Sequence, residues 1–322
     1  MAMENGKPAP VGETRSATSS RRHALALMLG AWGWLPRALA AADPGAPVRI
    51  AISESTVADV NLDDARASML IWIKRVMLDW NVTIELDPKV FDTTEEILRR
   101  ARRGQVDSVA VNLLEYRQIA DVLDSTQIVI EAGDSGPDLY ILAAKRDSGI
   151  QHLSDLRGRR LCTWKAPRMC LAPAWLTAIL DEGHFGPSEQ FFDSATTETK
   201  PARVVLPVFF GQADACITSK RSFDTMCELN PQVAKDLTAI ASSPVMVPLF
   251  YCFHKNYHSA NRERFVKALT GLRASAAGRQ IATLFQCDGL TTADASCLAD
   301  GLGILDAAER ARNRRGAGGR KG

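Results

Sequence analysis

Val48-Arg49-Ile50-Ala51-Ile52, then an apolar-periodic segment over residues 63–80, then Val82-Thr83-Ile84-Glu85-Leu86, reads as a β–α–β unit. Thr93-Thr94-Glu95-Glu96 opens the next helix with a capping hydroxyl and first-turn acids, and the helix closes near Gly104. Residues 106–111 form a third strand. Strands alternating with helices imply a largely parallel sheet covered on both faces. Two apolar runs, 127–130 and 139–144, come close together without a helix between them, and a second alternation begins after them. It comprises a strand at 160–163, a helix at about 170–182, a strand at 190–193, a helix at about 201–210 and a strand at 215–218. The chain returns through 237–241 and 248–253 to helices at about 261–285 and 292–312. The fold class is therefore α/β, with two similar lobes, each a mixed, mostly parallel sheet flanked by helices. Lobe 1 is expected at 42–143 and 238–309, lobe 2 at 144–237, and a basic disordered tail at 310–322. No fixed-period repeat or heptad register is present.

The N-terminus has the order of an export signal. Arg21-Arg22 precedes an apolar run over residues 24–35, and Ala38-Leu39-Ala40 supplies a small-residue cleavage pattern. The run is shorter than the roughly 20 residues needed to span a bilayer. Adjacent arginines after Ser20 resemble a twin-arginine signal, with Ala24 where Phe is usual, so both that route and general secretion stay open. Residues 1–41 are expected to be removed and the remainder to be periplasmic, without membrane insertion. The formal net charge of +2 hides a division: it becomes −1 without residues 1–41 and −7 for 42–309 alone. A mildly acidic body is a poor nucleic-acid binder. Residues 310–322 carry six basic side chains and no aromatic residue to stack on bases, so they read as a solubilising end.

Seven cysteines in an oxidising compartment point to one or more disulfides with at least one thiol left over, and Cys162 with Cys170 and Cys287 with Cys297 are the pairs nearest in sequence. No CxxC pair or zinc-like spacing occurs, and Cys252, His254 and His258 read as a strand end; no metal or other cofactor is implied. GxSxG, GxxxxGK[ST], HExxH and GxGxxG patterns are absent, which argues for a binding protein over an enzyme.

Several fragments, in order, resemble the substrate-binding proteins of ABC importers for phosphonate, phosphite and phosphate-like ligands, a type II periplasmic binding fold. They are Ile52-Ser53-Glu54-Ser55, Gly104-Gln105-Val106-Asp107, Asn112, Leu153-Ser154-Asp155-Leu156-Arg157-Gly158, Phe210-Gly211-Gln212-Ala213-Asp214-Ala215 and Ser242-Ser243-Pro244, over roughly residues 48–290. The resemblance implies a ligand cleft between the two lobes, hinge closure around a small anionic ligand and delivery to a permease; the protein is expected to be a monomer. Crevice candidates at strand ends are Ser53, Glu54, Ser55, Asn112, Tyr116, Thr197, Glu198, Thr218, Ser219 and Arg221; each alone also reads as a turn or cap residue. Relatives carry a Ser/Thr/Gly cluster at the first helix of the second lobe, where this chain has Ala166-Pro167-Arg168-Met169-Cys170. Arg168 reads either as a charge-assisted anion contact or as a solvated residue. Glu54 and Glu198, if turned inward, favour a cationic group on the ligand, as in an aminophosphonate. A thiamine-precursor-like heterocycle as ligand, or a sensor kinase in place of the permease, remains an alternative.

Overall fold

The computed structural model describes residues 45–57, 62–133, 136–284 and 287–318; the export-signal segment lies outside them. Asp43–Gly322 forms one unit. The strands are β1 (Val48–Ser53), β2 (Ile84–Asp92), β3 (Ser108–Asn112), β4 (Ile128–Glu131), β5 (Tyr140–Lys145), β6 (Arg160–Trp164), β7 (Ser194–Glu198), β8 (Ala215–Ser219), β9 (Leu237–Ser242), β10 (Leu249–Phe253) and β11 (Leu290–Ala293). The helices are α1 (Leu62–Asp79), α2 (Thr94–Arg102), α3 (Leu113–Ile119), α4 (Ala172–Glu182), α5 (Ser188–Phe191), α6 (Pro201–Phe209), α7 (Lys220–Leu229), α8 (Pro231–Asp236), α9 (Ala260–Thr270), α10 (Ala276–Leu284) and α11 (Ala299–Gly318). They build two sheets, ordered β11-β4-β10-β3-β1-β2 in lobe 1 and β7-β6-β8-β5-β9 in lobe 2.

The two-sheet α/β architecture is as expected, but antiparallel pairings are more numerous than the alternation implied. β1 runs parallel to β2 and β3, and β6 parallel to β7 and β8, which are the β–α–β units read from periodicity. β5 lies antiparallel to β8 and β9, while β10 lies antiparallel to β3 and β4. The cause is the path of the chain: β4 crosses to β5 and β9 returns to β10, so the crossing strands enter each sheet against its grain. Both β5 and β9 belong wholly to the lobe 2 sheet, which widens that lobe beyond 144–237 at each end. The two connections touch through the antiparallel bridge Asp138–Met246, and Tyr140 N–H donates to Ser243 Oγ at 2.8 Å.

Three local expectations change. Residues 190–193, read as a strand, close the short helix α5, and the strand begins at Ser194. The long helix expected over 261–285 is broken near Gly271 into α9 and α10, and residues 290–293 form the edge strand β11 instead of opening the last helix. The basic tail is helical as far as Gly318 as part of α11. Packing and charge order it: Arg314 pairs with Asp181 of α4, Arg315 donates to the Gly186 carbonyl at 3.1 Å, and Arg117 of α3 holds Glu309 and Asp306. α11 thus lies against both lobes, and Gly301 sits so close to Leu113 and Leu171 that a Cβ would come within 2.5 Å of the Leu113 side chain.

A Cβ on Gly278, near the start of α10, would lie 1.6 Å from the Leu272 carbonyl oxygen. That neighbour is backbone and cannot rotate away. Gly278→Ala is expected to cost about 3 kcal/mol, the upper end for overpacking, read as a lower urea midpoint with an unchanged slope.

All seven cysteines are free thiols. Cys162 and Cys216 are opposite each other on β6 and β8, while Cys170 and Cys287, the thiols nearest in sequence to Cys162 and Cys297, are each buried.

Candidate functional site

In lobe 1 the ends of β1 and β3 are shaped by their last residues. Ser53 caps the short 3-10 turn Glu54–Thr56, its Oγ accepting from Ser55 N–H at 3.3 Å. Asn112 caps α3: its Oδ1 accepts from Glu115 N–H at 2.9 Å, and Glu115 Oε2 accepts from Asn112 N–H at 3.0 Å, a closed capping box. The other oxygen, Glu115 Oε1, accepts from Ser53 Oγ at 2.5 Å, Ser55 Oγ at 3.0 Å and Thr94 Oγ1 at 2.6 Å. Asn112 Nδ2 donates to Ser55 Oγ at 2.9 Å. Ser53, Ser55 and Asn112 are thus brought together, around a carboxylate that sequence reading did not single out. The spacing Asn112-x-x-Glu115 was the available signal, but it announces only a helix cap.

A second polar cluster lies where the lobes join. A small, partly open cavity is lined by Glu131 at the end of β4, Gly136 and Asp138 in the first crossover, Tyr140 at the start of β5, Arg168, Ser219 at the end of β8, and Pro248 in the second crossover. Arg168 Nη2 lies 3.8 Å from Glu131 Oε2. Burial raises the Glu131 carboxyl to about 7, against the pull of Arg168 and Arg221. Arg221 Nη2 donates to the Gly136 carbonyl at 2.7 Å, whereas its Nη1 is buried and has no hydrogen-bond partner among the described residues. Tyr140 donates its phenol to the Arg168 carbonyl at 2.6 Å, which holds the turn carrying that guanidinium. Ser219 caps α7, accepting from Ser222 N–H at 3.2 Å. Arg168, Ser219 and Arg221 therefore converge, joined by Glu131, Asp138 and Tyr140, which sequence reading missed because they lie on the crossover strands.

The remaining candidates go elsewhere. Tyr116 is 6% exposed and packs edge-on against Phe250 in the core, its centroid 5.2 Å from that ring. Thr197 is exposed on the edge strand β7, and Glu198 lies 3.8 Å from Arg203. Thr218 is fully buried within β8 with its Oγ1 unpartnered among the described residues. Glu54 is half-buried on the turn that packs against Pro167–Met169 of the other lobe. That contact closes the crevice: Met169 is 3% exposed, and Cys170 Sγ lies 3.8 Å from the Pro248 carbonyl, with burial pushing its thiol up to about 12. The Ala166–Cys170 segment, in place of a Ser/Thr cluster, thus contributes apolar bulk and one guanidinium.

Two α/β lobes joined by paired crossovers, with a polar cavity at the junction, define a two-lobed solute-binding protein. The chain belongs to the periplasmic phosphonate substrate-binding proteins of ABC transporters: the sequence model of that family matches residues 72–298. Such proteins bind a small molecule and work with an ABC permease. XAC2383 from Xanthomonas citri, bound to ATP, is similar in fold, with a TM-score of 0.57 at 15% identity over 83% of this chain and 98% of that one. The same protein bound to chloride ion gives 0.54 at 16% identity over 83% and 99%. A binding-protein component of an ABC phosphonate transporter from Pseudomonas aeruginosa gives 0.49 at 14% identity over 84% and 98%. No curated protein matches. Among the described residues no helix is long and apolar enough to cross a membrane.

Proposed function

We propose that this chain captures a small zwitterionic ligand, of aminoalkylphosphonate type, in the cavity between its lobes and hands it to the permease. Residues 1–41 direct its export, and the two crossovers act as the hinge. The observation that carries the reading is the charge pattern of one small cavity. Glu131 and Asp138 offer two carboxylates to an ammonium group. Arg168 offers a guanidinium to an oxyanion from the cavity wall, and behind that wall Arg221, held on the Gly136 carbonyl, keeps a buried Nη1 donor without a hydrogen-bond partner among the described residues. A ligand bearing both charges meets the carboxylates and the guanidiniums together, whereas an anion or an amine alone engages one set only, so the zwitterion is preferred.

A thermal-shift and calorimetric panel tests this on the mature protein, with 2-aminoethylphosphonate, methylphosphonate, inorganic phosphate, a simple alkylamine and a thiamine precursor. The zwitterion is expected to stabilise by about 2.7 kcal/mol at a hundredfold its Kd. Methylphosphonate binding as tightly as its amino counterpart sinks the zwitterion reading, and a response to the heterocycle alone sinks oxyanion capture altogether.

A further inference from the structure

Glu115 plays no part in the cavity between the lobes, and its surroundings exceed what capping a helix requires. The cap is complete with Oε2 on Asn112 N–H and Asn112 Oδ1 on Glu115 N–H. Oε1 nevertheless collects three hydroxyls, and they come from three separate places: Ser53 at the end of β1, Ser55 in the turn beyond it, and Thr94 at the start of α2. The carboxylate is buried, at 2% exposure. Three hydroxyl donors and one amide converging on two oxygens of a charged group at a strand-end crevice form the donor set of an oxyanion hole. A serine pair and a threonine drawn from segments up to 41 residues apart, by the positions of Ser53 and Thr94, are more than one helix turn needs.

We infer that Glu115 occupies an oxyanion cradle made by Ser53, Ser55, Thr94 and the Asn112 amide. In doing so it acts as the specificity-determining residue that excludes phosphate-, phosphonate- and sulfonate-type groups from lobe 1. Two anions cannot share the four donors, because a second one would sit within a few ångströms of a like charge in a buried site. The anionic end of any ligand is thereby left to the guanidiniums of lobe 2. The inference rests on the solute-binding reading but not on the ligand proposed above.

The test uses the mature protein and calorimetry with inorganic phosphate and methylphosphonate. Glu115→Ala is expected to bind one or both at least tenfold more tightly than wild type, and the gain is expected to vanish when Ser53→Ala and Thr94→Val are added. Glu115→Gln, which still fills the cradle, is expected to show no gain. An alanine variant that keeps its fold by circular dichroism and binds neither anion more tightly than wild type overturns the inference, as does a gain that survives loss of the two hydroxyls. A second arm leaves Glu115 intact: wild-type crystals are soaked in phosphate. The carboxylate retained on the three hydroxyls supports the inference, and an anion bonded to Ser53 and Thr94 with Glu115 turned away overturns it. Failure of 2-aminoethylphosphonate to bind wild type removes the zwitterion proposal alone, because neither arm uses that ligand.

Discussion

Affinity for an ammonium-bearing ligand is expected to rise as the pH increases through about 7, and Glu131→Gln is expected to weaken binding about a hundredfold and flatten that dependence. Burial holds the Glu131 carboxyl protonated up to about 7, whereas the same group in the unfolded chain ionises near its ordinary value of 4.5. An ammonium needs the carboxylate, so below pH 7 binding must first release a proton, and affinity falls by up to tenfold per unit. Removing one member of a buried charge pair costs about 3 kcal/mol, close to two decades in Kd. The unliganded protein behaves in the opposite sense. A raised carboxyl contributes stability that is fully present below 4.5 and is lost as pH climbs through about 7, so Glu131→Gln should melt higher than wild type above pH 7 while binding worse. Calorimetry and melting curves at pH 5.5, 6.5, 7.5 and 8.5 measure both. A wild-type affinity independent of pH, or a glutamine variant that binds normally, places the ammonium elsewhere.

Asp107→Ala is expected to destabilise the fold by about 3 kcal/mol, and Asp214→Ala by distinctly less. The two residues make the same clasp in the two lobes. Asp107 accepts from Arg49 N–H at 2.9 Å, Nε at 2.8 Å and Nη2 at 2.6 Å, while its own N–H donates to the Arg49 carbonyl at 2.8 Å. Asp214 accepts from Arg160 N–H at 2.8 Å, Nε at 3.0 Å and Nη2 at 3.2 Å, and donates to the Arg160 carbonyl at 3.0 Å. Each follows a glycine in the left-handed region, Gly104 at φ +62° and Gly211 at φ +74°, which turns the chain from helix to strand. The difference is solvent: the Asp107 side chain is 9% exposed and that of Asp214 21%. Loss of the buried Asp107 carboxylate leaves the Arg49 amide and half-buried guanidinium without their acceptor, whereas water and salt screen the more exposed Asp214 pair. Urea denaturation of both variants at neutral pH checks the order, and equal losses would show that burial does not govern these clasps.

Those Gly-x-x-Asp segments were legible in the sequence because their turn is local, a glycine for the reversal and an aspartate immediately before the strand, whereas the arginine each clasps lies 58 or 54 residues away. The β–α–β units and the Thr93 cap were legible for the same reason, since helical period and capping are settled within a few residues. Where competing local signals met, the reading slipped: residues 190–193 look like a strand, yet Pro187 starts a helical turn that Phe191 anchors in the core.

The candidate site depended on distance along the chain. Glu131, Asp138, Tyr140, Arg168, Ser219 and Pro248 belong to five stretches spread from the end of β4 to the second crossover, and of these only Arg168 and Ser219 stood out among their sequence neighbours. Only the two crossings between lobes bring them to one cavity. Glu115 stands at capping-box spacing from Asn112, which is a local signal; that its second oxygen meets hydroxyls from β1 and α2 is a property of sheet order, which places β1 beside β3 with the start of α2 nearby. Sequence by itself determined the β–α–β units, the Thr93 cap and the division into two α/β series, because backbone hydrogen bonding and burial period act over a few residues. Which side chains meet, and with what charge and depth of burial, was decided by tertiary packing, because donors and carboxylates far apart in the chain become partners only when the lobes are assembled.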